Sequence, residues 1–526
     1  MNAPGTATDV DPVTLSVLSA ALTGIAEEMG EVLVRAAYSP NIKERRDCSA
    51  ALFDPEGRLF AQAEHIPVHL GAMPESVRWV RARGPGPGDV FALNDPFAGG
   101  NHLPDITLVS PIHHRDELIA FAATRAHHSD VGGMRPGSMP ADSREIYQEG
   151  LVIPPVRLVR AGEPVDDVLA LLLANSRTPA LRRGDFRAQV AANQRAATRL
   201  AELVSRRGRD TVLAAFDAVI GHAERRARAV LRTLPDGTYR AAGELEGDGV
   251  SDLDIPIQVA VTIAGDDLTI DFTGTADAVP GNVNCPLAVT RSACAFALRV
   301  LLPADAAANA GTYAPITVRA PESCLVNAKR PAAVVAGNVE TSQRIADTVL
   351  LALAQACPDL PAQGQGTMNN LVLGGRGWTY YETLGGGQGA SATGPGASGV
   401  HVGMTNTLNT PIEALELEHP LRVERYELDY DSSGPGRHPG GAGIVRAIRV
   451  LEPASLSLLT DRRRHSPQGA MGGGAGAVGS NIVHLPGVPE PFGLPAKISR
   501  DLPAGAVVEI HTPGGGGWGE ARPGSA

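Results

Sequence analysis

The chain is poor in aromatic residues and paired cysteines and carries a net negative charge, and these properties exclude classes of protein, whereas its shortage of lysine reflects genome composition. Lysine occurs only at positions 43, 329 and 497, aromatic residues make up 4% of the chain, and the formal net charge is -11. A nucleic-acid-binding protein needs a basic surface with aromatic platforms for the bases, so this composition argues against nucleic acid as a partner. The five cysteines form no CxxC pair and no even framework, which excludes a disulfide scaffold and fits a reducing compartment.

Two further absences concern nucleotides and membranes. The phosphate-cradling motif GxxxxGK[ST] does not occur, and no GxGxxG follows a predicted strand and opens a helix. We therefore predict that neither ATP nor a dinucleotide binds to this chain. The N-terminus has no basic region followed by an apolar signal core, and no apolar run is long enough to cross a bilayer. These observations predict a soluble, cytoplasmic protein with no membrane partner.

Length and patterning favour several domains of mixed structure. With 526 residues, 43% of them hydrophobic, the chain can bury large cores and has room for roughly two to four domains. Strand and helix patterns alternate in places and form groups in others, which favours an α+β fold over a single doubly wound sheet. We predict a disordered tail (1–10), an N-terminal α/β domain with a strand-built metal cleft (11–237), a central α+β domain (238–420) and a β-rich C-terminal segment (421–526).

Local patterns indicate the main elements. Asp11 and Pro12 are typical of a helix start, and apolar residues at three-to-four spacing continue to Val32. Periodicity also predicts helices over 186–206, 211–233, 288–302 and 340–357, and strands within 238–275, 443–461 and 505–511.

Residues 94–130 concentrate the side chains that carry chemistry. The run NDPFAGGNHLPDITLVSPIHHRDELIAFAATRAHHSD reads as a loop, an apolar run, a polar turn, a second apolar run and a His-His-Ser-Asp cluster. Pro104 biases the residue before it away from the α region, so His102 and Asp105 are expected on a turn. Two antiparallel strands, 106–112 and 118–126, would return the chain to this turn.

The returning strand ends in two histidines that cannot both face the turn. Successive strand side chains point to opposite faces, and we expect His127 to face the site and His128 to lie behind it. Together with His102 and Asp105, His127 would hold Zn²⁺, Mn²⁺ or Fe²⁺ and leave positions for water or a substrate oxygen. The alternative is that these histidines make ordinary hydrogen bonds under loops. His113 and His114, at the hairpin tip, are expected to be exposed.

Other polar residues are candidates for acid–base chemistry. His128 and Asp130 could orient a ligand or relay a proton, and Glu44 or Asp47 could be a base or a further ligand. A surface ion-pair network with neighbouring arginines is the alternative for the last two. Further candidates to line or approach the cleft are Arg45, His65, His69, His401, Asn406, Asn409, Glu413 and Glu416.

Glycine clusters dominate the C-terminal half. Glycine permits positive φ and close backbone approach, so residues 383–399 are compatible with either a ligand loop or tight turns. The run 514–517 is expected to be a C-terminal loop that could dock on a partner.

Several motifs are long enough to compare with known families. They are NDPFAGGNHLPDITLVSP, RAHHSDVGGMRPGS, EIYQEGLVIPPVRL, NSRTPALRRGDFRAQVAA, HVGMTNTLNTPIEALE, DSSGPGRHPGGAGIVR and TPGGGGWGEARP. Together they resemble the hydantoinase B/oxoprolinase family over nearly the whole chain. By comparison with related subunits of ATP-dependent ketone carboxylases, the resemblance implies His102, Asp105 and His127 as metal ligands. One block departs from the family pattern, because residues 396–399 lack the acidic Asp-Gly expected before His401.

The resemblance also implies an activity and a partner. It implies the metal-bearing B subunit of an ATP-dependent hydrolase that opens a lactam or cyclic imide, such as a hydantoin or 5-oxoproline. A separate A-type subunit would bind ATP and phosphorylate the substrate oxygen, so a hetero-oligomer is expected. The metal would polarise the ring carbonyl or lower the pKa of bound water from about 15.7 toward about 7.

Other classes of function fit parts of the sequence. The metal subunit of an ATP-dependent ketone carboxylase would use the same ligands to stabilise an enolate, although carboxylases of this kind have longer chains. A non-catalytic scaffold subunit would hold no stoichiometric ion. A non-haem iron oxygenase also uses two histidines and one carboxylate, but its usual His-x-Asp turn differs from the spacing here.

Overall fold

The structure is a computed structural model that describes residues 10–64, 66–69 and 71–521. Residues 1–9 of the predicted tail and the candidate His65 lie outside this part. Asp11 caps the first helix as predicted, because its side chain accepts hydrogen bonds from the backbone N–H groups of Val13 and Thr14. The helices are α1 (Pro12–Ala36), α2 (Pro40–Lys43), α3 (Met73–Arg81), α4 (Ile146–Glu149), α5 (Asp166–Ala174), α6 (Pro179–Arg207), α7 (Arg209–Leu231), α8 (Leu287–Leu301), α9 (Ala310–Tyr313), α10 (Ser342–Leu353) and α11 (Ile412–Glu418). In the described ranges, no helix has the length and apolar character needed to cross a membrane.

The first sheet contains the histidine-rich stretch. Its strands are β1 (Cys48–Phe53), β2 (Leu59–Glu64), β3 (Val90–Leu93), β4 (Asp105–His114), β5 (Glu117–His127), β6 (Val156–Arg160) and β7 (Glu163–Pro164). They pair antiparallel in the order β2-β1-β5-β4-β3-β6-β7. Helices α1, α6 and α7 pack against this sheet through a core that includes Met29, Leu52 and Phe216. The predicted hairpin is therefore confirmed and lies at the centre of the sheet.

The second sheet follows helix α7 in the chain. Its strands are β8 (Gly237–Glu246), β9 (Asp254–Ala264), β10 (Asp267–Asp271) and β11 (Ile316–Arg319), in the order β11-β10-β9-β8. Helices α8 and α10 pack against it, with Val261, Leu298 and Val349 in the shared core. Between these helices, one π-helical turn over Gly337–Thr341 leads directly into α10.

Two further sheets pack together in the C-terminal part. Their strands are β12 (Asn370–Gly375), β13 (Trp378–Thr383), β14 (Leu421–Asp429), β15 (Gly443–Val450), β16 (Ala454–Leu459), β17 (Ser480–His484), β18 (Phe492–Leu494), β19 (Lys497–Leu502) and β20 (Val507–His511). The third sheet has the order β13-β12-β16-β19 and the fourth β14-β15-β20-β17-β18. Leu373, Leu456, Ile448 and Ile510 belong to the core between them. The mixed α+β class is confirmed. The boundary predicted at residue 420 falls between β12 and β16, which pair in the third sheet. The division into domains stays a prediction.

Glycine-rich segments outside the helices and strands pack side by side. Gly515 accepts a hydrogen bond from the N–H of Gly434 at 2.9 Å and donates one to the carbonyl of Gly441 at 2.9 Å. A Cβ atom on Gly515 would lie only 2.0 Å from the carbonyl oxygen of Gln388, so the spacing of these backbones requires glycine. Residues 385–399, 434–441, 467–477 and 513–519 are called the glycine layer below. Residues 514–517 form a loop, as predicted, but they are buried in this layer, and docking on a partner stays a prediction.

Candidate metal centre

A turn at Pro104 and the end of strand β5 bring the three predicted ligands together. The N–H of Asp105 donates to the carbonyl of His102 at 3.0 Å, which closes the turn. Asp105 then opens β4 and stands directly opposite His127 in the β4–β5 register. The side chain of His127 therefore reaches the turn because backbone pairing fixes its position.

The three side chains converge within hydrogen-bonding distance. His102 Nε2 lies 3.0 Å from Asp105 Oδ1, His127 Nδ1 lies 3.2 Å from the same oxygen, and the two imidazole nitrogens are 3.2 Å apart. One ligand atom from each of the three residues can be chosen so that all lie within 4.8 Å of one another. His69 adds a fourth donor, since its Nε2 lies 3.4 Å from Asp105 Oδ2.

Partners behind the imidazoles orient their nitrogens toward this cluster. His102 Nδ1 lies 3.3 Å from the backbone oxygen of Val335, and His69 Nδ1 lies 2.9 Å from Ser49 Oγ. Such contacts fix the ring orientation of metal-bound histidines. All four side chains of the cluster are buried, yet Asp105 Oδ2 and His127 Nε2 have no hydrogen-bond partner. Buried polar atoms are normally satisfied, so two such atoms beside converging N and O donors fit a divalent metal.

The electrostatics favour the protonation states that a metal requires. Burial opposes ionisation of Asp105, but the charge and hydrogen bond of His102, with the hydrogen bond of His127 and the nearby His69 ring, hold the pKa of Asp105 well below its usual value. Burial lowers the pKa of His127. Burial also opposes the charge on His102, but Asp105 outweighs this effect and raises the His102 pKa. An ionised Asp105 and a neutral His127 are the forms that bind a cation, which would displace the proton of His102.

The cluster lines a small cavity of about 20 Å³, enough for roughly one water molecule. Its walls come from distant parts of the chain, including segments far beyond the first sheet. The other lining residues are Asp47, Ile66, Val68, Asn338, Val339, Met368, Tyr381, Thr383, Thr405 and Thr407. A substrate ring cannot enter this cavity unless part of the wall moves.

Tyr381 lies behind His127 in the cavity wall, and Arg45 packs against Tyr381. The Tyr381 ring stacks on the His127 ring at a centroid distance of 4.4 Å, and its hydroxyl donates to Asn370 Oδ1 at 2.8 Å. The guanidinium carbon of Arg45 lies 4.9 Å from the centroid of the same tyrosine ring. Arg45 also donates to the backbone oxygen of Tyr381 and to Asn41 Oδ1 at 2.6 and 2.8 Å. These contacts connect the N-terminal segment to the third sheet beside the cluster of His102, Asp105 and His127.

None of the three predicted acid–base residues lines the cavity. His128 faces the opposite side of β5, where its Nε2 lies 2.9 Å from Gln189 Oε1 and burial lowers its pKa to about 3. Asp130 accepts hydrogen bonds from Arg177 and from Gly137 N–H, and thereby holds the loop that follows β5. Glu44 lies at the end of α2, half-buried, whereas Asp47 reaches the cavity. The catalytic assignment of these three residues stays a prediction that the cavity geometry does not support.

Of the other residues predicted to line or approach the cleft, some contribute to the cavity wall and the rest lie outside it. His69 and Asp47 line the cavity, and Arg45 supports it. His401 lies behind Thr405 and Thr407, with each of its ring nitrogens 3.3 Å from one threonine hydroxyl. The remaining members of that polar set do not line the cavity: Asn409 contacts Tyr426, Glu416 accepts from Val423 N–H, and Glu413 and Asn406 are not buried.

Sequence reasoning missed the π-helical turn. Asn338 on this turn lines the cavity, and its buried Oδ1 has no hydrogen-bond partner. Glu340, two residues on, is fully buried, and its Oε1 accepts hydrogen bonds from Met368 N–H and Asn370 Nδ2. π-Turns are frequent at functional sites, but their i→i+5 bonding has no sequence signature that would have identified this one.

Glu340→Gln is expected to stabilise the protein at alkaline pH relative to the wild type. Burial, followed by the charge of Asp461, raises the pKa of Glu340 from 4.5 to about 7. The native state therefore keeps a proton that the unfolded state loses, and wild-type stability falls as the pH rises from about 4.5 to about 7, by up to roughly 3 kcal/mol. Urea unfolding at pH 5 and pH 8 measures the difference. Glu322→Gln, at a side chain that is 83% exposed, is the control and should show the same dependence of stability on pH as the wild type.

Comparisons with known proteins agree with this architecture. The chain belongs to the hydantoinase B/oxoprolinase family, whose model matches residues 11–521. It is 40% identical over 534 residues to 5-oxoprolinase 1 of Arabidopsis thaliana, and the match covers 97% of this chain and 42% of that protein. It is 34% identical to the B subunit of a putative D-/L-hydantoinase from a Pseudomonas strain, with 97% and 90% coverage. The chain thus spans about two fifths of the first relative and most of the second.

Solved structures show the same fold. The ATP-dependent caprolactamase from Pseudomonas jessenii matches with a TM-score of 0.92 and 30% sequence identity, covering 98% of this chain and 92% of that one. An acetone carboxylase structure matches with a TM-score of 0.85 and 19% identity, covering 97% and 76%. At that identity, the carboxylase shares the fold alone.

Proposed function

We propose that this chain is the metal-bearing B subunit of an ATP-dependent hydrolase that opens a lactam or cyclic imide. The observation that carries the proposal is the buried cluster of His102, Asp105 and His127 with its unpartnered donor atoms. The names of the relatives, 5-oxoprolinase, hydantoinase and caprolactamase, support a cyclic amide as the substrate. The low identity to the acetone carboxylase gives no comparable support to a carboxylase.

The residues of the centre have separable roles in such a reaction. A divalent metal held by His102, Asp105 and His127 would supply a Lewis acid that polarises a carbonyl oxygen and acidifies water. Burial of the cluster excludes bulk solvent, which strengthens electrostatic interactions inside the cavity. The free carboxamide oxygen of Asn338 can accept a hydrogen bond from the N–H of a cyclic amide and orient its ring.

We infer that ATP binds to an A-type partner subunit. The chain has no phosphate-cradling glycine motif, and its Pseudomonas relative is named as one subunit of a hydantoinase, the B-type. In the Arabidopsis 5-oxoprolinase, the matching segment occupies 42% of a longer chain, so the remainder has room for a second activity. If ATP binding and the metal centre lie on separate chains in this protein, the active form is a hetero-oligomer.

The purified complex with its A-type partner provides the test. We expect about one divalent ion per copy of this chain, and ATP hydrolysis coupled to ring opening without bicarbonate. Chelation should abolish ring opening, and added Zn²⁺ or Mn²⁺ should restore it. ATP turnover that requires bicarbonate and a ketone would instead indicate a carboxylase. Ring opening that persists in a chain without bound metal would indicate a scaffold.

A further inference from the structure

A groove of about 490 Å³ lies outside the metal cavity and has the size of a small-molecule site. One wall is apolar and comes from helices α8 and α10 together with the segment after α10. The main residues of this wall are Phe296, Val300, Leu350, Leu351 and Leu360. The opposite wall is formed by carboxamide side chains and by backbone of the glycine layer, including Gln363, Gln388, Gln468, Gly389 and Gly469.

The groove and the metal cavity are neighbours along two segments. Asn338 lines the metal cavity, and Gln343, at the start of α10, lines the groove. In a second segment, Gly403 lines the groove and Thr405 lines the metal cavity. The two linings are therefore five positions apart along the first segment and two positions apart along the second.

Gln343 joins these two segments. Its Nε2 donates to the carbonyl of Val402 at 3.0 Å, and its Oε1 accepts from the N–H of Met404 at 3.1 Å. Residues 402–404 belong to neither a helix nor a strand, and these two hydrogen bonds tie their backbone to the start of α10. Rotation of the Gln343 side chain would break both hydrogen bonds and is the step by which the two spaces would connect.

The charge of the groove restricts what it can bind. Asp347 is the one ionisable side chain among its described lining residues, and its Oδ2 lies 2.9 Å from Arg462 Nη2 and 3.5 Å from Arg344 Nη1. This carboxylate is therefore already neutralised. A second carboxylate in the groove would find no unpaired cation among the described lining residues, so its partial desolvation would go uncompensated.

We propose that this groove is the docking site for an uncharged cyclic amide before it passes Gln343 to the metal cavity. The methylene groups of the ring would pack on the apolar wall, and its N–H and C=O would face the carboxamides. The inference rests on the proposed function and narrows it, because it favours unsubstituted lactams and hydantoins over the carboxylate-bearing 5-oxoproline.

Two probes that differ by one carboxylate test the proposal: 2-pyrrolidone and 5-oxoproline. Ligand-observed NMR titration of the full-length chain after chelation should show binding of 2-pyrrolidone at least about tenfold tighter than that of 5-oxoproline. Leu351→Trp should fill the groove and abolish this binding. In the assembled complex with metal, the same variant should raise KM for the lactam without reducing metal content.

Controls separate this inference from the proposed function. Leu417→Trp, at a side chain that is 87% exposed on α11, should leave lactam binding unchanged, and Ala354→Leu should weaken it less than Leu351→Trp. Equal or tighter binding of 5-oxoproline would overturn the proposal, as would 2-pyrrolidone binding that survives Leu351→Trp. Loss of partner assembly with lactam binding intact would identify the groove as a subunit interface. If the lactam binds as expected but the complex opens no ring, only the proposed function fails.

Discussion

Replacement of Asp105 by asparagine is expected to remove both the bound metal and the ring-opening activity while the protein stays folded. Asp105 is the one carboxylate of the three-residue cluster, and His102, His127 and His69 all lie within 3.4 Å of its oxygens. Asparagine keeps the size but removes the charge that attracts the cation. Loss of an outer-shell partner typically weakens metal binding roughly 10- to 100-fold, and loss of a direct ligand should exceed this.

The measurement is the metal content of the purified chain, combined with ring-opening assays of the complex and a thermal unfolding curve. Asp116→Asn is the matched control, because Asp116 is exposed at the tip of the same hairpin and has no role in the cavity. Wild-type metal content and activity in the Asp105→Asn chain would show that the cluster is only a hydrogen-bonded core.

Replacement of Gly515 by alanine is expected to cost more than about 4 kcal/mol or to prevent folding. A Cβ atom at this position would lie 2.0 Å from the carbonyl oxygen and 2.3 Å from the carbonyl carbon of Gln388. Both atoms belong to the backbone, so no side chain can rotate away. The segments would have to separate, and the hydrogen bonds of Gly515 with Gly434 and Gly441 would be lost.

Gly394→Ala in the same layer is the control for glycine content. A Cβ atom there would meet no atom within 4 Å, so stability should change by less than about 1 kcal/mol. Urea unfolding and the soluble yield of both variants measure the effect. A folded Gly515→Ala chain of wild-type stability would mean that the glycine layer is loosely packed.

The features that could be predicted from the sequence are those that local backbone chemistry determines. The turn at Pro104, the hairpin and the choice of His127 over His128 follow from local backbone rules, and all three agree with the structure. The acid–base roles predicted for His128 and Asp130 could not be derived from such local rules. His128 and Asp130 are polar residues beside the ligands, but the alternation of the strand and the loop geometry direct their side chains elsewhere.

The walls of the centre could not be predicted, because they are set by packing between distant segments. Tyr381 stacks on His127 across 254 positions in the chain, and no periodicity links the two residues. The glycine layer could not be predicted from the sequence either. Glycine clusters are compatible with turns as well as with close backbone packing, and only the mutual arrangement of four segments distinguishes these cases.

The origin of the cavity walls has a consequence for how the ion would be acquired. The three proposed ligands all lie within residues 102–127, whereas the covering residues Asn338, Met368 and Tyr381 come from much later in the chain. During synthesis, the ligand-bearing hairpin would be exposed before the segments that seal it exist. An ion captured at that stage would be trapped when they dock, so its exchange in the mature protein should be slow. The identity of the ion would then reflect which metals the cell supplies to the nascent chain.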